Sequence, residues 1–204
     1  MNEESYYLKE ILNDQRIRER YSEPQRNYHT WQHIEACLKE LDSVRDKIHN
    51  HDAVFLAIIF HDIIYDPTKH DNEEESAKYA LKFIDSIILP TEEISKVDLS
   101  AEVIRLIIAT KKHQPNPLSI RDDSKYFLDI DLSILGQSEE IFDKYEDDIR
   151  KEYSFVPEYI YKIERTKILE SFIYRKHIFF TAHYRDKYEK WAWINLRRSI
   201  DKLK

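Results

Sequence analysis

The sequence predicts an all-α protein, a single compact multi-helix bundle over residues 1–204, on three observations. Apolar residues recur at helical spacing along almost the whole chain, which indicates amphipathic helices. Gly136 is the only glycine, and hairpin-rich β architectures depend on turns that favour glycine. An apolar share of 42% accompanies a high charged share of 35%, as expected of helices with densely charged outer faces.

The first three helices are predicted from the apolar pattern. A first helix carries an apolar stripe over residues 6–17 and ends before Pro24, and a second runs from about residue 30 to residue 48. The third lies in the stretch AVFLAIIFHDIIY, residues 53–65. Because this stretch is apolar on every side, it should be the central buried helix.

The later helices are predicted from start and stop signals. Asn72 is the expected N-cap of a fourth helix that stops at Pro90, with Glu75 completing a capping box. Further helices are expected over residues 103–110, 139–153, 157–174 and 188–203. The connections between them are short, which favours a compact bundle.

Charge and composition limit the partners. The net charge of −7 argues against a nucleic-acid polymer or an anionic membrane as partner. Cys37 is the only cysteine, so it is expected to be a buried thiol rather than part of a disulfide. The N-terminal MNEESYYLKE does not resemble a secretory signal, and the best apolar stretch is interrupted by His61 and Asp62. A cytoplasmic location is expected.

The pair His61-Asp62 is the strongest chemical signal because it lies within the apolar third helix. A buried carboxylate without a partner is costly. A divalent cation would remove that cost and would also accept the neighbouring imidazole. The alternative is that Asp62 is salt-bridged to an arginine while His61 is hydrogen-bonded in the core.

A second signal is RNYHTWQH, in which His29 and His33 are four residues apart and share one helical face. A zinc protease motif would need Glu where Thr30 stands, so that class is excluded. His33 continues the apolar side of the helix more closely than His29 does. It is therefore the better candidate ligand.

The third signal is YFLDIDLSIL, where Asp129 and Asp131 alternate with apolar residues. Alternate residues of a helix point apart, so only one of the two should face a site. One shared cation would explain all three signals. The mixed histidine and carboxylate set suits Mn²⁺, Mg²⁺, Fe²⁺, Co²⁺, Ni²⁺ or Zn²⁺ and does not choose among them.

The order H…HD…D on successive helices resembles the HD superfamily of metal-dependent phosphohydrolases. The blocks RNYHTWQHI, FHDIIYDPTKHDNEEESA, IIATKKH, FLDIDLSILG and IRKEY, within about residues 26–153, are similar to a bacterial branch of predicted HD phosphohydrolases. The resemblance implies a single HD domain with the C-terminal helices packed on it. Carried over by position, it implies the metal ligands His33, His61, Asp62 and Asp131, with Asp129 as the fallback for the last.

The activity that the resemblance implies is hydrolysis of a small phosphoester, a nucleotide among the options, by a metal-activated water. Asp62, Glu73 and His113 are the candidate catalytic residues, with Glu73 or Asp66 as general base and His113 as a phosphate contact or second metal ligand. Acids at a helix start, such as Glu73, also have a purely structural explanation. The candidate substrate-binding residues are Arg26, His29, Lys111, Lys112, Arg150 and Tyr153.

Three other functions stay open at this point. The first is an HD-type oxygenase with two iron ions, and the second is a non-catalytic HD domain that senses nucleotide or metal. The third is a helical scaffold without a metal. Substrate, metal identity and number, and oligomeric state are also open, including a homodimer in which the region of Trp191 and Trp193 is core or dimer surface.

Overall fold

The computed structural model describes residues 4–87, 95–115 and 123–204, with side chains from residue 8 onward. Every regular element in these ranges is helical, so the all-α prediction is confirmed for them. The chain divides into two compact units, residues 1–127 and 128–204, with the division inside one helix. The prediction of one domain over the whole chain stays a prediction.

The first unit contains six helices among its described residues: α1 Glu4–Leu12, α2 Gln15–Arg20, α3 Trp31–Ser43, α4 His51–Phe60, α5 Asn72–Ser86 and α6 Lys96–Thr110. Helix α7, Asp123–Asp131, contains the division. The described α-helices that follow it are α8 Glu139–Glu152, α9 Glu158–Ile173, the single turn α10 Ala182–Tyr184 and α11 Lys190–Leu203. In the described ranges, no helix is both long and apolar enough to cross a membrane.

Helix α4 is the centre of the first unit, as predicted. Each residue from Ala53 to Phe60 is buried, and the helix packs against α3, α5 and α6. The predicted position of the His-Asp pair inside this helix is wrong, because α4 ends at Phe60 and the pair follows it. The chain turns there with a bond from the Ile63 amide to the Phe60 carbonyl.

Other helix ends also differ from the prediction. The helix expected over residues 30–48 ends at Ser43, and the one expected over residues 103–110 begins at Lys96. The expected first helix is broken at Asp14, whose carboxylate accepts the Arg16 amide at 2.9 Å and begins α2. Asn72 is not an N-cap: it is the first residue of α5, and its side chain makes two hydrogen bonds with the backbone of Asp66. The amide of Asn72 therefore closes the preceding loop. Helix α5 ends at Ser86, before the expected stop at Pro90, and Pro90 itself lies outside the described residues.

In the second unit, α11 packs against α9, α8 and a 3-10 turn over Leu132–Gly136. The buried Asn195 side chain donates to the Leu135 and Gln137 carbonyls at 3.0 and 2.9 Å. A π-helical turn, Arg185–Glu189, precedes α11 and also packs against the 3-10 turn. The helices predicted near residues 139–153 and 157–174 are confirmed within one residue or so of each end.

Candidate metal site

His33 lies in the first turn of α3 with only 6% of its surface exposed. Its Nδ1 is 3.1 Å from the Tyr28 hydroxyl, and its Nε2 is 3.2 Å from Nε2 of His61. The contact with Tyr28 occupies one ring nitrogen and fixes the direction of the other. His33 therefore presents Nε2 to the His-Asp pair after α4.

The hydrogen bond of the other His61 nitrogen decides which nitrogen of this ring carries a proton. Nδ1 is 2.9 Å from the Ile58 carbonyl oxygen, which can only accept, so Nδ1 must donate. In the neutral ring Nε2 then carries a lone pair. That nitrogen faces His33 Nε2 and, at 3.0 Å, the Asp62 Oδ2.

A lone pair that faces a carboxylate oxygen is repelled by it, so the arrangement needs a positive charge between the groups. A second proton on His61 is one solution, and a metal ion is the other. Neighbouring ligands at about 2.1 Å from one ion lie roughly 3 Å apart, and opposite ligands about 4 Å. His61 Nε2 is 3.2 Å from His33 Nε2 and 3.0 Å from Asp62 Oδ2. The distance from His33 Nε2 to Asp62 Oδ2 is 3.9 Å. The two histidines and the aspartate therefore fit one shared ion.

The Asp62 carboxylate stays charged in this environment. Burial raises its pKa, but the positive charges of His61 and His29, and the hydrogen bond that His61 donates when its ring is protonated, outweigh that effect and bring the pKa well below its ordinary value. About a fifth of the side chain, 21%, remains exposed. A solute can therefore reach the carboxylate, which is what an open site requires.

Arg26 fixes the backbone of the pair rather than presenting a free guanidinium. Its side chain is fully buried, and it donates to the Asp62 carbonyl at 2.8 Å, the Ile63 carbonyl at 3.0 Å and the His29 carbonyl at 2.9 Å. These bonds take up carbonyls at the point where α4 ends. The contacts favour a positioning role for Arg26 over the predicted contact with substrate.

His29 lies beside the site, with its ring stacked on Tyr65 at 4.2 Å between centroids. Its ring centroid is 6.3 Å from that of His33. It is half-buried, and its charge contributes to the low pKa of Asp62. This position is compatible with the predicted contact between His29 and an anionic substrate.

The candidate residues at the start of α5 and the end of α6 differ in their contacts and in their exposure. The Lys111 ammonium pairs with Glu74 and donates to the His70 carbonyl at 2.8 Å, which ties the end of α6 to the start of α5. Lys112 is exposed, and Glu73 is half-buried in the first turn of α5. Both lysines are exposed.

His113 has a strained backbone. Its φ is +45°, the one positive φ at a non-glycine residue in the described ranges. The bonds from the His113 amide to Thr110 and from the Gln114 amide to Ala109 close the end of α6 in the manner usually completed by glycine. A residue kept in this conformation at a cost often serves a function.

Replacing His113 by Gly tests that function. We expect the free energy of unfolding to rise by about 1 kcal/mol, because glycine adopts this conformation without strain. Urea denaturation measures the change. If His113 contacts phosphate, the same variant loses phosphate-releasing activity while it gains stability. Unchanged activity would leave the residue with a structural role only.

In the second unit, Asp129 is fully buried and its carboxylate accepts three hydrogen bonds. The donors are the Phe180 amide at 2.7 Å, the Thr181 amide at 2.8 Å and the Thr181 hydroxyl at 2.7 Å. Burial outweighs these bonds and raises the pKa of Asp129 to about 6. Asp131, the last residue of α7, is half-buried. These bonds occupy the Asp129 carboxylate, and Asp131 stays the fourth ligand that the sequence resemblance implies.

Replacing Asp129 by Asn should cost about 2 kcal/mol of stability, because the new NH₂ group would face a hydrogen-bond donor. Asp131→Asn, at a less buried position, should leave stability nearly unchanged and lower metal content instead. Chemical denaturation and metal analysis of both variants distinguish the two roles. The opposite pattern, with metal lost only from the Asp129 variant, would reverse the assignment.

Arg150 and Tyr153, the last two predicted substrate contacts, lie at the C-terminal end of α8. Arg150 donates to the Tyr153 carbonyl at 2.6 Å and the Val156 carbonyl at 3.2 Å, and it lies over the Tyr161 ring at 4.6 Å. These contacts close the turn between α8 and α9. They favour a structural role for both residues.

Sequence reasoning missed Tyr28 and the Ile58 carbonyl, which orient the two imidazoles. Tyr28 stands inside the motif RNYHTWQH, so its position was the one available signal. A backbone carbonyl has no side-chain signature at all. Both groups act by holding ring nitrogens in place.

Comparisons with protein-family models, with curated proteins and with solved structures each found no match to this chain. The likeness to the HD superfamily therefore rests on the sequence blocks alone.

Proposed function

We propose that this protein is a metal-dependent phosphohydrolase that cleaves a small phosphoester, with one divalent ion held by His33, His61, Asp62 and Asp131. The observation that carries the proposal is the arrangement of His61. Its bond to the Ile58 carbonyl leaves Nε2 unprotonated in the neutral ring, and that nitrogen faces a carboxylate and a second imidazole. An imidazole lone pair and a carboxylate oxygen that face each other in this way, with a second imidazole beside them, are typical ligands of a transition metal.

A bound divalent ion would polarise a phosphoryl oxygen and lower the pKa of a coordinated water. Other groups of the chain hold the proposed ligands in place. Tyr28 and the Ile58 carbonyl hold the imidazoles, and Arg26 fixes the turn that carries Asp62. His29 and His113 are the candidate contacts for the phosphate charge.

Glu73 is the better candidate for the general base. Asp66 accepts hydrogen bonds from the Thr68 hydroxyl and the Thr68 amide, which lower its pKa, as does Lys69. A carboxylate with a lowered pKa is a weak base. Glu73 is half-buried at the start of α5.

The first experiment measures metal content of the purified full-length chain and phosphate release from a panel of phosphomonoesters and nucleotides, with and without Mn²⁺. Close to one transition-metal ion per chain, with phosphate release that a chelator abolishes and Mn²⁺ restores, supports the proposal. Folded protein without metal and without a metal response would leave the His-Asp pair as a structural ion pair.

The HD-type oxygenase and the sensor predict other results of the same experiment. Two irons per chain and dioxygen consumption, without phosphate release, would favour the oxygenase. Tight nucleotide binding with no turnover across the panel would favour the sensor. Either outcome would contradict the proposed hydrolase activity.

A further inference from the structure

The carbonyls at the end of α4 are bound by groups from two parts of the chain. The last carbonyls of a helix have no amide partner within the helix, so other donors must bind them. The amide and the ring of His61 take two of these carbonyls, and the amide of Ile63 takes a third. The carbonyl of Ile59 accepts the Tyr21 hydroxyl at 2.7 Å, from a residue 38 positions earlier. This bond joins the end of α2 to the last turn of α4.

Tyr21 also contacts the arginine that holds the main chain of Asp62. The Arg26 guanidinium lies 5.0 Å from the centre of the Tyr21 ring, a cation–π contact. It donates to the Asp62 carbonyl at 2.8 Å. Burial and the negative charge of Asp62 raise the pKa of Tyr21 well above its ordinary value, so the hydroxyl keeps its proton and stays a donor.

The side chain of Gln25 acts on the chain beyond Asp62. Its Nε2 donates to the Tyr65 carbonyl at 3.1 Å. Donors from one short segment before α3 therefore bind carbonyls on both sides of Asp62, and the main chain there can shift only if these bonds break. We call this group of donors the clamp. Its members are Tyr21, Gln25 and Arg26.

We propose that the clamp sets the position of the Asp62 carboxylate, which makes Tyr21 and Gln25 positioning residues for the metal ion. The inference rests on the proposed function, in which Asp62 binds that ion. The donors of the clamp bind main-chain carbonyls, so they act on the ion through Asp62. A ligand that is already held in place loses less conformational freedom when the ion binds. Loss of one bond of the clamp therefore weakens metal binding although every ligand is still present.

The experiment compares Mn²⁺ binding by the full-length wild type and by Tyr21→Phe in isothermal titration calorimetry, where circular dichroism shows both proteins folded. The substitution removes the hydroxyl and keeps the ring beside Arg26. We expect the variant to bind Mn²⁺ about tenfold more weakly, the lower end of the range for residues that support a metal ligand. A purely structural role for the hydroxyl would lower the free energy of unfolding in urea but leave the affinity of the folded protein unchanged.

Gln25→Met is the second variant and tests the other end of the clamp. Gln25 is half-buried, and methionine has a similar length but no donor. We expect a smaller loss of Mn²⁺ affinity, and this variant decides the question if Tyr21→Phe does not fold. The control is Tyr79→Phe on α5, because Tyr79 is half-buried and its ring lies 6.0 Å from the Arg20 guanidinium. The control should bind Mn²⁺ like wild type.

The results separate this inference from the proposed function. A folded Tyr21→Phe protein that binds Mn²⁺ as tightly as wild type overturns the clamp and leaves the proposed function in place. Wild-type affinity of Gln25→Met does the same if Tyr21→Phe does not fold, and so does an equal loss of affinity in Tyr79→Phe. A wild type that binds no Mn²⁺ overturns the proposed function and the clamp together.

Discussion

Asp62→Asn is expected to lower metal-dependent phosphate release about 1,000-fold, equivalent to roughly 4 kcal/mol of transition-state stabilisation. The amide lacks the negative charge that Asp62 keeps through its low pKa. It also presents an NH₂ group, which is no ligand for a cation. Steady-state phosphate release with saturating Mn²⁺ measures the loss.

A binding measurement separates this effect from damage to the fold. Excess Mn²⁺, at about 100 times its dissociation constant, should stabilise wild type by about 2.7 kcal/mol and Asp62→Asn by almost nothing. Asp42→Asn, at an exposed position on α3, is the control and should respond like wild type. If Asp62→Asn were stabilised by Mn²⁺ as strongly as wild type, Asp62 would not be a ligand.

Gly136→Ala is expected to destabilise the protein by about 4 kcal/mol. A Cβ at this position would lie 2.4 Å from the Tyr188 Cβ and 2.9 Å from the Tyr188 backbone oxygen. No change of rotamer moves either atom, so the 3-10 turn and the π-helical turn would have to separate. The loss is measured as a lower free energy of unfolding in urea.

Ser138→Ala is the matched control for the glycine variant. Ser138 is exposed, lies two residues away and makes no side-chain bond as the N-cap of α8. Its replacement should change stability by less than about 0.5 kcal/mol. A Gly136→Ala protein with near wild-type stability would show that the two turns can move apart at little cost.

The helical class and most helix positions could be predicted because they follow from periodicity and from the scarcity of glycine. Helix ends were harder. The sequence AVFLAIIFHDIIY has no break at Phe60, yet the helix ends there, and the Arg26 side chain takes up the carbonyls of Asp62 and Ile63 just beyond it. Asn72 likewise resembles an N-cap, but its side chain is hydrogen-bonded to the backbone of Asp66. Competing partners from distant or neighbouring segments cannot be read from local pattern.

His33, His61 and Asp62 lie close together, and that they share a metal ion stays a prediction. Predictions for the arginines fared differently. The guanidinium groups of Arg26 and Arg150 donate to backbone carbonyls. Every residue has a backbone carbonyl, so the sequence does not show which carbonyl an arginine side chain will bind. An arginine within a motif-like block therefore does not reveal whether it faces a ligand or the main chain.

The end of α4 at Phe60 has an electrostatic consequence for the order in which ligands bind. The C-terminal end of a helix carries a partial negative charge from its aligned peptide dipoles, and here the Asp62 carboxylate lies directly beyond it. In the metal-free protein, the helix end and the Asp62 carboxylate both repel an anionic phosphoester. Both attract a cation. If the proposed site takes both ligands, we therefore expect the metal to bind first and the phosphoester second.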